Sequence, residues 1–201
     1  MNYEKILRIA AGCETIEYGI IFGNERVVFI KSGAFGSIKG YQDKYLRMAH
    51  RIHTKIGATV ICSSNPDLTE STQLKADKAL IAKVVADRGF ENYEMYFVGT
   101  SDGGYHSLLL SQQISETVKY LGINSSHKGL DDFAERIQSL PHIEKIFVCG
   151  TEDEDYNSIV PTLNSLDCDN LKIVSLEGAD HEFTGKIDDF ILLIDLICKK
   201  Q

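Results

Sequence analysis

The sequence predicts an α/β fold: a mostly parallel central sheet with helices on both faces and an antiparallel hairpin at its N-terminal end. Three observations lead there. From residue 27 onward, short apolar runs alternate with segments of helical spacing. The runs are apolar throughout, the pattern of strands buried on both faces. The 201 residues are 43% hydrophobic and 25% charged with only three prolines, enough for one sizeable core. No repeat, low-complexity tract or Pro/Gly-rich linker interrupts 1–201, so a single domain is expected.

Residues 5–33, KILRIAAGCETIEYGIIFGNERVVFIKSG, read as short strands joined by turns, with Gly23-Asn24 as the hairpin bend. The strand VVFIKSG then precedes YQDKYLRMAHRIHTKIG, where Tyr45, Met48, Ala49 and Ile52 share a helical face and a glycine closes the run. ATVICSS precedes ESTQLKADKALIAKVVADRG, with Leu74, Ile81, Val84 and Val85 on one face and Asp77-Lys78 interrupting it. The pattern repeats with MYFVGTS and GGYHSLLLSQQI, VKYLGIN and GLDDFAERIQSL, KIFVCGT and NSIVPTLNSL, and finally LKIVSLEG and IDDFILLIDLICKK. Sheets of this kind bind ligands beyond the carboxyl ends of their strands. Six strand ends therefore hold the candidates.

Composition narrows the function. No run of about 18 uncharged apolar residues is present, so no membrane span is expected. The segment Met1-Asn2-Tyr3-Glu4-Lys5 lacks the pattern of a secretory signal. A formal charge of −8 argues against broad contact with nucleic acid. Cys13, Cys62, Cys149, Cys168 and Cys198 form an odd set without a CxxC pair. They read as free, mostly buried thiols in a reducing, cytoplasmic setting. No cofactor or metal is expected, and the oligomeric state is left open.

The third strand end reads Gly99-Thr100-Ser101-Asp102-Gly103. A serine on so tight a strand-to-helix turn projects its hydroxyl outward, and the crowded turn needs small residues two positions away on each side. Gly99 and Gly103 supply them. A serine needs a base and the base an orienting acid. His181, in EGADHEF after the last strand, is the candidate base; His50, His53, His106, His127 and His142 lie in helices or polar connections. CGTEDED ends the strand before it, with Asp153 as the chosen acid and Asp155 as its rival. Asp180 shares the histidine's own loop and is poorly placed. An oxyanion needs two N–H donors; Asp102 would supply one, and Ala34, in KSGAFGSIKGY, the other.

Together these stretches resemble the α/β-hydrolase superfamily over most of residues 27–200. GTSDGG resembles its nucleophile elbow, GTEDED its acid loop, and GADHEF its histidine loop, in the chain order Ser101, Asp153, His181. KSGAFGS resembles its oxyanion loop, with Ser32 where histidine is common. Only NSSHKG separates VKYLGI from the following helix, too little for a lid. An open site is expected, bounded by the oxyanion loop and SSNPDLTEST, with Phe35, Tyr41 and Tyr105 as candidate walls. The resemblance implies a serine hydrolase acting on a small carboxylic ester or thioester. A peptidase or amidase with the same residues, or a non-catalytic binding protein of the same fold, are the alternatives.

Overall fold

The computed structural model describes residues 1–127 and 129–199. Eight strands form one sheet: β1 (Lys5–Ala11), β2 (Glu14–Ile21), β3 (Asn24–Lys31), β4 (Ala58–Ser63), β5 (Glu94–Thr100), β6 (Thr117–Ile123), β7 (Glu144–Gly150) and β8 (Leu171–Leu176). Their order is β1-β2-β4-β3-β5-β6-β7-β8. β2 runs antiparallel to both β1 and β4, and the remaining pairs are parallel. The predicted fold class is thus observed. Among the described residues no helix is long and apolar enough to cross a membrane.

Period-two alternation explains why both faces are covered. In β3, Val28 and Ile30 join one core cluster with Met48, Ile52 and Phe190, while Val27 and Phe29 join the other with Leu80, Leu108 and Phe133. On the first face lie α1 (Lys44–Ile56), α6 (Ile187–Leu192) and α7 (Asp195–Cys198). On the second lie α2 (Glu70–Arg88), α3 (Asp102–Ser111), α4 (Leu130–Gln138) and α5 (Tyr156–Asn164).

Two expectations about chain path are corrected. The hairpin bend is Gly12-Cys13, not Gly23-Asn24, because β4 lies between β2 and β3. The Gly23 connection instead crosses the start of β4, where Asn24 N–H donates to the Gly57 carbonyl at 2.7 Å. A Cβ on Gly23 would stand 2.2 Å from that oxygen, so close backbone approach, not turn chemistry, selects glycine there. Cys13, at the true bend, is exposed. The last segment is also not one helix: α6 and α7 are separated at Leu193-Ile194, which places both residues in the core at 8% and 0% exposure. Asp195, just past the break, is gripped by Arg51 (2.7 and 2.8 Å) and Lys55 (2.6 Å) from α1. These cations hold its carboxyl at about 2.

The interruption of the α2 face by Asp77 is a buried junction. Asp77 is fully buried yet four groups reach it: Lys31 Nζ at 3.0 Å, His106 Nε2 at 2.8 Å, Tyr18 Oη at 2.8 Å and Ser63 Oγ at 3.0 Å. Burial alone would push its carboxyl up; Lys31 and His106 outweigh that and hold it below the ordinary carboxylate value. Asp77→Asn leaves the Lys31 ammonium buried without its counter-charge, a change that typically costs ~3–5 kcal/mol. Urea unfolding followed by circular dichroism is expected to show a loss of that order; a loss below ~1 kcal/mol would mean that the junction carries little stability.

Candidate active site

Ser101 sits alone between β5 and α3 with φ 54° and ψ −128°, a backbone conformation that residues with a Cβ rarely take. The turn is held on three sides. Ser101 N–H donates to the Ile123 carbonyl at 3.0 Å, and its own carbonyl accepts from Gly104 at 2.8 Å and Ser126 at 3.0 Å. The flanking glycines are required by contact. A Cβ on Gly99 would lie 2.2 Å from the Gly103 carbonyl oxygen, and one on Gly103 would lie 2.2 Å from that of Ser32. Gly104, not singled out in the sequence, is as constrained: its Cβ would meet Ser125 Oγ at 2.1 Å.

The other two candidates converge on this serine. His181 Nε2 lies 2.9 Å from Ser101 Oγ, and His181 Nδ1 lies 2.7 Å from Asp153 Oδ2. Asp153 is 7% exposed, and its second oxygen accepts the Asp155 N–H at 2.9 Å. Asp155 stands at the start of α5, where its backbone carbonyl rather than its side chain accepts from Ser158 at 3.0 Å and Ile159 at 2.9 Å. Asp180 turns to its own loop, where Oδ1 accepts the Thr184 N–H at 2.8 Å and is held below its usual pKa by that bond. The remaining histidines have other partners or positions. His50 meets the Asn2 carbonyl, His53 the Ala58 carbonyl, and His106 the buried Asp77; His127 accepts from Gly129 N–H.

Two asparagines that belong to no motif in the sequence fix these loops. Asn124, held at φ 42°, donates to the Asp180 and His181 carbonyls at 3.0 and 3.2 Å while its Oδ1 accepts from Gly150 N–H at 2.8 Å. It thereby joins the ends of β6 and β7 to the histidine loop. Asn65 Nδ2 donates to the Ser32 carbonyl at 3.2 Å and to Asp102 Oδ2 at 3.0 Å, and its N–H to the Gly36 carbonyl at 2.9 Å, joining the 32–36 loop to the start of α3. The signal was faint: each is a single asparagine one or two residues past a strand, where asparagine also serves ordinary turns.

In front of Ser101 and His181 is a cavity of about 390 Å³, lined in part by Gly33, Ala34, Tyr41 and Lys44. Among the described residues neither Ala34 N–H nor Asp102 N–H is paired with a protein acceptor. Asp102 opens α3, whose first N–H groups have no partner within the helix. Of the expected walls only Tyr41 lines the cavity. Phe35 is 78% exposed, and Tyr105 is buried with its hydroxyl donating to Asp132 Oδ2 at 2.7 Å, because it faces the α2–α5 side of the sheet. No lining residue comes from 63–72; that connection acts through Asn65.

No known family profile matches the sequence, and no curated protein is similar to it in sequence. Solved structures show the fold clearly. The chain is similar to Est1E from Butyrivibrio proteoclasticus at 12% identity and a TM-score of 0.72, covering 96% of this chain and 99% of the other. It is similar to an α/β serine hydrolase without lid from Xanthomonas campestris at 16% identity and 0.70, covering 96% and 93%. It is also similar to the mouse α/β-hydrolase domain-containing protein 10 at 13% identity and 0.67, covering 96% and 98%. The architecture is therefore the α/β-hydrolase fold.

The contact at Gly103 makes one expectation specific. Gly103→Ala forces the start of α3 away from the Ser32 carbonyl, an overpacking whose usual cost is ~1–3 kcal/mol or more. Lower folded yield and a lower denaturation midpoint are expected, with the wild-type midpoint as the contrary result.

Proposed function

We propose that this chain is a serine hydrolase that cleaves a small carboxylic ester or thioester through an acyl-enzyme. The observation that carries the proposal is the continuous hydrogen-bonded line from Ser101 Oγ through both ring nitrogens of His181 to Asp153, with distances of 2.9 and 2.7 Å. Such a line lets the imidazole remove the hydroxyl proton as the oxygen attacks a carbonyl. Asp153 keeps Nδ1 protonated and stabilises the imidazolium that forms. The tetrahedral oxyanion is received by the N–H groups of Ala34 and Asp102. His181 then returns the proton to the leaving group, and water activated by the same ring releases the acid.

Support comes from the hydrolases of the same fold, and from Est1E, which has been solved with ferulic acid bound; a carboxylic acid is what ester hydrolysis releases. The free cysteines fit a cytoplasmic location.

Ser101→Ala is expected to abolish both p-nitrophenyl ester turnover and labelling by a fluorophosphonate probe while leaving the circular-dichroism spectrum intact. Undiminished turnover removes Ser101 from the reaction. The acid is tested by comparing two variants on one activated ester. Asp153→Asn is expected to cost about 10⁴-fold in kcat, Asp155→Asn only a few-fold. The reverse ranking would move the role to Asp155.

A further inference from the structure

The wall of the cavity before Ser101 includes a lysine that the proposed chemistry does not use. Lys44, the first residue of α1, lines it with its side chain only 5% exposed. Its ammonium lies 4.8 Å from the Phe190 ring centre and 5.4 Å from that of Tyr45. Its ion-pair partner is Glu182 at 3.6 Å, beyond hydrogen-bond length, and that side chain is 74% exposed.

Among the described residues the other buried lysines are treated differently: Lys119 Nζ pairs with Glu144 Oε2 at 2.8 Å and donates to the Lys199 carbonyl at 3.2 Å. Lys31 Nζ donates to Ser63 Oγ, the Ser64 carbonyl and Asp77 Oδ2 at 2.8–3.1 Å. Lys145 Nζ donates to the Leu140 and Ile143 carbonyls. Each has its acceptors built in. Lys44 has three N–H donors and, among the described residues, aromatic faces and one loosely held carboxylate. Burial accordingly pulls its pKa down, and Glu182, with a smaller contribution from the Asp180 charge, only partly opposes this. A buried ammonium in the wall of a substrate cavity, held by a carboxylate that lies mostly in water, is arranged to exchange that carboxylate for another.

We infer that the substrate is anionic: an ester or thioester bearing a free carboxylate, which Lys44 receives while Glu182 turns out to solvent. This rests on the reading of Ser101 as the nucleophile. The carboxylate of such a substrate would be desolvated against Lys44, where a charged hydrogen bond is worth about 10- to 100-fold in selectivity.

The test compares matched pairs within each protein, so that a general change in activity cancels. One pair places the charge on the acyl chain, mono-p-nitrophenyl adipate against p-nitrophenyl hexanoate. The other places it on the leaving group, 4-carboxyphenyl acetate against phenyl acetate. The wild-type protein is expected to prefer the carboxylate by at least about tenfold in kcat/KM in one pair, after correction for the uncatalysed rates. Lys44→Met is expected to abolish that preference, and Glu182→Gln, which removes the competing carboxylate, to raise it several-fold. Turnover without preference in either pair, or a preference that survives Lys44→Met, overturns the inference and leaves the nucleophile standing. Absence of both turnover and fluorophosphonate labelling in the wild type overturns the two together.

Discussion

The site depends on one backbone contact, the seating of the first turn of α3 on the last carbonyl of β3 and the one that follows it. A Cβ at Gly103 would lie 2.2 Å from the Ser32 oxygen and 2.6 Å from that of Lys31. With the helix this close, the chain leaving β5 has one residue in which to turn, and Ser101 accepts a positive φ to do it. The same Ser32 carbonyl also accepts from Asn65 Nδ2, and Ser32 Oγ donates to the Gly36 carbonyl. The serine and the loop that carries Ala34 are therefore positioned by the same few atoms. Their relative geometry follows from the packing of the sheet rather than from a flexible connection.

Immediately beneath this contact lies the polar junction at Asp77. Pleat alternation directs the Lys31 side chain away from the cavity into the interface between β3, α2 and α3, one residue before the chain reaches the site. There its ammonium reaches Asp77 from α2 and Ser63 from β4, and the same Asp77 is met by His106 from α3, Tyr18 from β2 and Ser63. The directional demands of these bonds restrict sliding: α3 cannot shift along β3 without separating His106 from Asp77. A charge that looks misplaced on an amphipathic helix is thus part of the support for the turn at Ser101.

Much of this was legible in the sequence, for identifiable reasons. The strands are apolar on both faces, so their runs stand out, and the elbow announces itself because Gly99 and Gly103 are demanded by contact rather than by preference. Ser101, Asp153 and His181 could be selected since each follows a strand end, where the sheet fixes position. What was not legible depends on neighbours distant in sequence. The pairing of β2 with β4 moved the hairpin from Gly23 to Gly12. The face of α3 toward α4 took Tyr105 away from the cavity. The break in the last helix reflects two consecutive buried residues and the grip of α1 on Asp195. Asn65 and Asn124 act through backbone carbonyls of other loops, which leave no imprint on local pattern.

β8, the strand that leads to His181, lies at the rim of the sheet with β7 as its neighbour, and most of its residues are only partly buried. Cooperative units of this kind open at lower free energy than central strands such as β3 and β5. Ser101 is held by β3, β5, β6 and α3, all nearer the middle of the sheet. Peeling of β8 would therefore withdraw the imidazole from a hydroxyl that keeps its place. Two populations with nearly the same secondary structure would then coexist, one with His181 against Ser101 and one without. The contact between Ser101 and His181 would be governed by a local equilibrium at the edge, with a midpoint of its own below that of the whole molecule.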